Sequence, residues 1–324
     1  MIPTVFAKAN VSDKNSQLIQ AAKDGNLPAT QTLLANGADV NARDTGGMPV
    51  LMWAANSGHT DIVKLLLEKG ANVNVKETTR GCTALWIASQ WGHIKIVKLL
   101  LDQGADVDVK DTTGYTALLI ASEQGHTEVV RHLLEKGADI NVKTNDDGTT
   151  ALWIATQNGH FDVIKLLLDK GADVNAKRTS DNTSALWIAS QWGHIEIVKL
   201  LLDKGADVNA MTTDAEMLLE KDIYVKTTSN GSTALRIASQ NGHTEVVRLL
   251  LEKGADVNAK TTSDDKTSLI IAADKGHVEI IKLLLGKGAN INTKDKNGKT
   301  ALGTAKAAGH TDVVQLLEKA GAKE

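Results

Sequence analysis

The feature of this sequence that most constrains its fold is a Gly-His pair that recurs at a nearly fixed interval. Successive pairs lie 33 or 34 residues apart, with one longer interval, and each pair stands between two apolar blocks. The histidines of these pairs are His59, His93, His126, His160, His194, His243, His277 and His310. Self-similarity at such a period indicates an array built from copies of one supersecondary unit. The sequence therefore predicts a repeat protein.

One copy shows how a unit is expected to fold. The apolar residues of 83–91 lie at helical spacing and predict a short first helix, called helix A here, which Gly92 interrupts. The apolar residues of 96–101 recur three and four apart and predict a second helix, helix B. Gly104 supplies the positive φ that ends a helix, and a polar finger loop follows. Helices this short cannot bury their own apolar faces, so each unit must stack on its neighbours.

This pattern resembles the ankyrin repeat, whose signature Thr-Pro-Leu-His-X-Ala recurs about every 33 residues. Residues 116–121, Thr-Ala-Leu-Leu-Ile-Ala, and 137–142, Gly-Ala-Asp-Ile-Asn-Val, are typical of how it reads in this chain. The resemblance runs from about residue 16 to residue 324 in about nine units, after an N-terminal extension of residues 1–15. It implies an all-α solenoid of stacked helix-turn-helix units with β-hairpin-like finger loops.

Two departures from the signature are visible. The proline is replaced by alanine in most copies, and by Val50 and Ser268 in two others. Loss of the proline lowers the free energy of unfolding by at most about 0.4–1 kcal/mol per site. The signature histidine becomes tryptophan in three copies, so any hydrogen bond that it makes in the family is lost there. The residues at this position are Trp86, Trp153, Trp187, Leu119, Arg236, Ile270 and Gly303.

The long interval before His243 holds an irregular insertion at about residues 212–227. Its segment 215–226 reads like a copy of helix B and its loop with the Gly-Ala lost. We interpret it as the remnant of a mostly deleted repeat, or else as a functional protrusion that shapes the binding face. In either case it is the predicted weak joint of the stack.

Residues that could carry catalysis do not cluster outside the repeat positions. Equivalent histidines in stacked units lie about 10 Å apart, too far to share one zinc ion, so we assign them a structural role at the start of helix B. Cys82 is the only cysteine, which excludes an intrachain disulfide and leaves a single thiol in a finger. No phosphate-binding glycine motif is present. We therefore expect no enzyme, no cofactor and no metal site.

Charge and hydropathy narrow the class of partner. The formal net charge is −3 with both signs interspersed, whereas a nucleic-acid binder normally carries a basic stripe. The sequence has no run of about 18 apolar residues, which is the length that a helix needs to cross a membrane. The single cysteine suits a reducing compartment. We expect a cytoplasmic monomer that contacts neither nucleic acid nor membrane and that binds a protein partner.

The resemblance also implies where that partner binds, because in ankyrin-repeat proteins the fingers and the exposed side of helix A form a concave groove. The two positions before each Gly-His should face it. Candidate contacts are Gln90, Trp91, Gln124, Asn158, Gln191, Trp192 and Asn241, with Arg80, Tyr115 and Arg178 near the fingers. Exposed tryptophan is enriched at binding hot spots, so Trp91 and Trp192 are the expected anchors. The alternative is that both lie flat on neighbouring helices.

Two functions fit these residues. The first is a protein-binding scaffold or adaptor that uses the concave face. The second is a recognition module for a small molecule, sugar or modified peptide held between tryptophans, which a pocket at Trp91 or Trp192 would favour.

Overall fold

The fold is a series of helix pairs. A computed structural model describes residues 4–213 and 231–323, with side chains from residue 13 onward. Two compact units make up the chain, Met1–Asp146 and Asp147–Glu324. Within the described ranges, four helix pairs lie in the first unit and five in the second. The predicted all-α fold of stacked helix-turn-helix units is confirmed.

The first unit contains α1 to α8. Its helices are α1 (Thr4–Lys23), α2 (Leu27–Ala35), α3 (Val50–Asn56), α4 (Thr60–Glu68), α5 (Ala84–Gln90), α6 (Ile94–Asp102), α7 (Ala117–Glu123) and α8 (Thr127–Glu135). Odd-numbered helices are helices A and even-numbered helices are helices B. The sequence analysis placed the first repeat from about residue 16, and α1 runs through that point from Thr4.

The second unit contains α9 to α18. Its helices are α9 (Ala151–Gln157), α10 (Phe161–Asp169), α11 (Ala185–Trp192), α12 (Ile195–Asp203), α13 (Ala234–Asn241), α14 (Thr244–Glu252), α15 (Ser268–Asp274), α16 (Val278–Gly286), α17 (Ala301–Ala308) and α18 (Thr311–Lys319). The predicted insertion at 212–227 lies outside the described residues, apart from its first two positions.

Most helices A begin at a hydroxyl side chain that caps them. The Thr83 hydroxyl oxygen accepts from the backbone N–H of Trp86 at 3.2 Å, and Thr116 accepts from Leu119 at 3.3 Å. Such a cap stabilises a helix by about 1 kcal/mol. This bond accounts for the threonine of the repeated signature, because its hydroxyl oxygen accepts from a backbone N–H of the first helical turn.

The two helices of a repeat are buried to different extents. In α7, residues 117–122 are all buried, whereas α8 buries only the stripe formed by Val129, Val130 and Leu133. Helix A is therefore packed on almost every side within its unit, and helix B covers one side of it. The last one or two positions of each helix A, next to the turn that leads to helix B, remain accessible.

The finger loops are closed by side chains rather than by strand pairing. In the described residues the only β-pairing is two isolated bridges, Arg43 with Pro49 and Lys177 with Ser184. In a typical finger, an oxygen of Asp111 accepts from the backbone N–H groups of Thr113 and Tyr115, both at 2.9 Å. The carboxylate thus fixes the turn of the finger, whereas in a β-hairpin the pairing of the two strands does so.

Six of the eight Gly-His histidines make a hydrogen bond to the preceding repeat. His126 Nε2 lies 3.0 Å from the carbonyl oxygen of Gln90 in the preceding repeat. Because a carbonyl only accepts, the imidazole donates from Nε2. The predicted role at the start of helix B needs correction: His126 stands at the N-cap position of α8, but its ring makes no capping bond there. Equivalent bonds link His59 to Lys23, His93 to Asn56, His243 to Gln191, His277 to Gln240 and His310 to Asp274.

The repeats that flank the insertion keep these contacts. His243 Nε2 lies 2.9 Å from the Gln191 carbonyl oxygen, as in repeats without an insertion. Lys253 Nζ lies 2.8 Å from Asp203 Oδ1, which repeats the pairs of Lys136 with Asp102 and Lys204 with Asp169 at the same distance. The stack in the second unit therefore continues from α11 and α12 to α13 and α14 with its usual bonds.

Candidate functional site

The ends of helices A carry the two most exposed tryptophans among the described residues. Trp91 follows α5 directly, and Trp192 is the last residue of α11. Their exposed fractions are 55% and 54%. An indole this exposed leaves a large apolar surface in water, and such residues are enriched where partners bind. Each therefore marks a candidate contact surface on its own unit.

The polar edge of Trp91 is already used within the chain. Its indole Nε1 donates to Asn56 Oδ1 at 2.9 Å, and Asn56 is the last residue of α3. This bond ties the ring to the preceding repeat, yet the ring stays exposed. Trp91 offers a partner an apolar, preoriented face.

Trp192 differs from Trp91 in one respect. Within the described part of the chain, its indole Nε1 makes no hydrogen bond. Asn158 and Asn241 hold the same position after the preceding and following helices A, and α11 packs against both α9 and α13. Trp192 therefore combines an apolar face with an N–H donor that a partner's carbonyl can satisfy.

The other predicted contacts fall into exposed and half-buried groups. Gln124, Asn158 and Asn241 are exposed, whereas Gln90, Gln191 and Tyr115 are half-buried. The carbonyl oxygen of Gln191 accepts from Asn241 Nδ2 at 2.9 Å. Sequence reasoning missed Phe161 and Met211, which are 39% and 40% exposed and lie outside the positions before Gly-His.

The arginines near the fingers serve mainly to hold the fingers. Arg178 lies 2.8 Å from Asp147 and 4.5 Å from the centre of the Trp153 ring, and its side chain is only 16% exposed. Its predicted role as a partner contact needs correction, because these contacts already use its guanidinium. Arg80 also pairs with an acid, Asp111, at 3.1 Å, but its side chain is 53% exposed. Arg80 remains available to a partner.

The tryptophans at the signature-histidine position pack inside the array. Trp86 and Trp153 are buried, and Trp187 is half-buried. Trp153 Nε1 donates to Thr183 Oγ1 at 3.2 Å. The hydrogen bond that the signature histidine could make to a neighbouring finger is therefore replaced here by one from an indole, which the sequence alone did not indicate.

The carboxylate of Glu77 holds the backbone of its finger. Burial opposes ionisation of Glu77, but the backbone N–H groups of Thr79, Cys82 and Arg80 donate to its carboxylate and hold its pKa below the ordinary value. Among the described residues, no group of three or more histidine, cysteine or acidic side chains is placed to hold a metal ion.

Cys82 is expected to be unreactive in the folded protein. Burial raises the pKa of its thiol to about 11. At pH 8 only about 0.1% would be thiolate, against roughly a quarter for a thiol of pKa about 8.5, so modification should be at least about 100-fold slower than in the unfolded chain. The rate of reaction with a chromogenic disulfide, measured with and without denaturing urea, checks this. Equal rates would contradict it.

A cleft in the first unit has no tryptophan among its lining residues. It has a volume of about 410 Å³ and is lined by Gly25, Leu27, Gly58, His59, Thr60, Asp61, Ile62 and Lys95. None of these is aromatic apart from the imidazole of His59, which bonds the Lys23 carbonyl. This cleft therefore does not favour a small molecule held between tryptophans.

Comparison with known proteins identifies the class. The family model described as ankyrin repeats in three copies matches residues 18–111, 77–144, 103–178, 142–212 and 260–323, and the model of the single ankyrin repeat matches residues 230–262. The chain belongs to the ankyrin-repeat family. Repeats of this family are generally protein-protein interaction modules and are typically non-catalytic.

Two further findings are negative, one from comparison with known proteins and one from the helices themselves. A search of curated proteins gives no significant match. Among the described residues, no helix combines the length and the apolar character needed to span a bilayer.

Proposed function

We propose that this chain is a monomeric, cytoplasmic scaffold or adaptor without catalytic activity, which binds a partner protein on the exposed ends of its helices A. In this proposal residues 16–324 form the binding array, and residues 1–15 are an N-terminal extension. The observation that carries it is the exposed indole of Trp192, whose N–H has no acceptor within the described residues. A partner would cover the ring and supply that acceptor.

Neighbouring side chains support a protein partner. Asn158 and Asn241 flank Trp192 on adjacent helices, and both are exposed amides that can donate and accept hydrogen bonds. A central aromatic anchor surrounded by polar groups is the arrangement found at protein interfaces. In the first unit, Trp91 and Gln124 offer a second surface of the same composition.

Replacing Trp192 with alanine is expected to weaken partner binding by about 30-fold, because a buried aromatic hot spot contributes about 2 kcal/mol. Trp192→Phe should have an intermediate effect, since it keeps an apolar ring and removes the N–H donor. Trp91→Phe should bind like the unchanged chain, because that N–H is used by Asn56. The measurement is quantitative affinity capture from cell lysate by each variant, followed by titration of the captured protein.

Phe161→Ala serves as the matched control, because it removes an exposed aromatic ring of the same unit that lies at the start of α10 and outside the ends of helices A. All variants should first show equal helicity by circular dichroism. If the Trp192→Ala and Trp91→Ala variants capture the same proteins with the same affinity as the unchanged chain, the ends of helices A are not the binding surface and the proposal fails.

A further inference from the structure

One contact between neighbouring repeats of the second unit lacks the bond that links other repeats. His194 stands directly before α12, and its ring makes no hydrogen bond among the described residues. At six other places the corresponding histidine bonds a carbonyl oxygen of the preceding repeat. We call these six contacts the closed joints. The contact of His194 with the end of α9, at Gln157 and Gly159, is called the open joint.

The two sides of the open joint lie further apart than those of the closed joints. In the closed joints, a Cβ on the glycine would lie 2.5–3.0 Å from the nearest atom of the histidine ring, whereas a Cβ on Gly159 would lie 3.5 Å from His194. Gln157 is exposed, whereas the residue that supplies the carbonyl is half-buried in every closed joint. The residues compared are Lys23, Asn56, Gln90, Gln191, Gln240 and Asp274. The His194 ring therefore stands back from the preceding repeat.

The rest of this contact between repeats keeps its usual bonds. Lys204 Nζ lies 2.8 Å from Asp169 Oδ1 at the C-terminal ends of α12 and α10. Trp153 Nε1 donates to Thr183 Oγ1 of the following finger at 3.2 Å. The gap is therefore confined to the ends of helices A, where Trp192 also lies.

The corresponding joint of the first unit is closed. Trp91 Nε1 donates to Asn56 Oδ1 at 2.9 Å, and His93 Nε2 lies 3.3 Å from the carbonyl oxygen of the same asparagine. Trp192 and His194 are the counterparts in the later repeat, and they make neither bond within the described residues. Both donors are thus present in the open joint without the acceptor that the first unit provides.

The repeats that carry the two tryptophans do not explain this difference. Residues 84–101 and 185–202 differ only at Lys95 and Glu196. Glutamate at this position is compatible with a closed joint, because Glu279 occupies it in a repeat whose histidine makes the bond. The cause therefore lies in the repeat that precedes Trp192.

That preceding repeat carries one buried methyl group more than its counterparts. Thr156, three residues before Gly159, is fully buried, and its hydroxyl donates to the Leu152 carbonyl oxygen at 2.7 Å. Within its unit, α9 packs against α10 and α11. A densely packed interior takes up an added methyl group only if a neighbour moves. In the closed joints this position holds alanine or serine, at Ala22, Ala55, Ser89, Ser190, Ser239 and Ala273.

We propose that the buried methyl group of Thr156 holds this joint open and so keeps the indole N–H of Trp192 available to the partner. This role of Thr156 rests on the proposed function, since it concerns the same donor. An indole has one N–H and accepts no hydrogen bond, so a ring that bonds the preceding repeat, as Trp91 does, has no donor left. Thr156 is thus a positioning residue, which acts through the packing of α9 on α11.

The Thr156→Ser variant is expected to close the joint, because it keeps the hydroxyl and removes the methyl group. Hydrogen exchange of the Trp192 indole N–H, followed by NMR on the isotope-labelled full chain, should become about tenfold slower, since the N–H gains an acceptor. The urea midpoint should not fall, although loss of a buried methyl group ordinarily lowers it. Thr156→Val keeps both branches of the side chain and should exchange like the unchanged protein. The Trp91 indole is the internal reference and should not change.

Ser190→Thr makes the opposite change in the next joint of the same unit. That joint is closed, with His243 Nε2 2.9 Å from the Gln191 carbonyl oxygen. The added methyl group should open it, and the backbone N–H groups of α14 should exchange about tenfold faster by mass spectrometry. Unchanged exchange in α14 would show that a methyl group at this position does not control a joint.

Two results on Thr156 itself would overturn the inference. One is unchanged exchange of the Trp192 indole in Thr156→Ser, and the other is equal slowing in Thr156→Val, which would assign the effect to the hydroxyl. Affinity for the captured partner should fall as much in Thr156→Ser as in Trp192→Phe, because each change withholds the N–H from the partner. A loss in Trp192→Phe alone would overturn the role of Thr156 and leave the proposed function standing. Slower exchange with unchanged capture by every tryptophan variant would keep the joint and reject the proposed surface.

Discussion

The Gly193→Ala variant is expected to unfold with a free energy about 2–4 kcal/mol lower than the unchanged protein. Gly193 ends α11 at φ 72°, where an L-residue with a side chain loses about 1–2 kcal/mol. The added Cβ would also lie 2.5 Å from His243 Nδ1 in the next repeat. That ring is held by its bond to the Gln191 carbonyl, so relief of the contact must disturb the joint between repeats. Urea unfolding followed by circular dichroism measures the loss.

Gly205→Ala separates the two causes. Gly205 has a φ of 89°, and a Cβ there would meet nothing within 4 Å. Only the backbone cost of about 1–2 kcal/mol should remain in this control. The double variant Gly193→Ala, His243→Ala should lose less than the sum of its single losses, because removal of the ring relieves the contact. Equal losses of unfolding free energy at Gly193 and Gly205 would show that the contact with the histidine ring does not contribute to the loss.

The Arg236→Leu variant is expected to be more stable than the unchanged protein by about 1–3 kcal/mol, an unusual direction for a core substitution. Arg236 is 7% exposed, and its Nε has no hydrogen-bond partner among the described residues. Within those residues its guanidinium makes one hydrogen bond, from Nη1 to Ser232 Oγ at 3.4 Å. Burial lowers its pKa, an effect that the charge of Asp264 opposes. Leucine fits this place, because Leu119 occupies the same position, fully buried, in another repeat.

Arg178→Leu is the control of opposite sign. Its guanidinium lies 2.8 Å from Asp147 Oδ2 and over the Trp153 ring, so its removal leaves an acid without its ion pair. We expect this variant to be destabilised by about 1–2 kcal/mol. Thermal unfolding of both variants, with leucine as the common replacement, gives the comparison. A loss of stability in Arg236→Leu would show that the buried charge supports its repeat.

The helices and their order followed from the period alone, because every copy gives the same evidence and the errors of a single window cancel. Gly92 and Gly104 mark the ends of helices A and B in the sequence, and α5 and α6 end within two residues of them. Burial was also predictable, since the apolar spacing of Val129, Val130 and Leu133 admits one buried face.

Contacts between repeats were less predictable, because they depend on which side chains meet across a stack. His126 Nε2 bonds to a carbonyl oxygen of another repeat, and the Arg178 guanidinium packs on the Trp153 ring of another repeat. No local sequence pattern predicts either contact. The exposure of Trp91 followed from its place before Gly-His. Its bond to Asn56 did not, since asparagine stands one position earlier in the preceding copy and its side-chain direction is set by packing.

The glycine and histidine at each joint have a consequence for how such a chain can change in length. Every joint that carries this bond has a glycine in one repeat and a histidine in the next, at the same two positions. The contact surface that one repeat presents is therefore the one that any other repeat can bind. A recombination event that cuts two repeats at matching positions recreates a complete joint, whatever the rest of each repeat contains. Residues 84–101 and 185–202 differ only at Lys95 and Glu196, as recent copying would leave them. Whole repeats can thus be gained or lost as exchangeable parts while their exposed residues diverge.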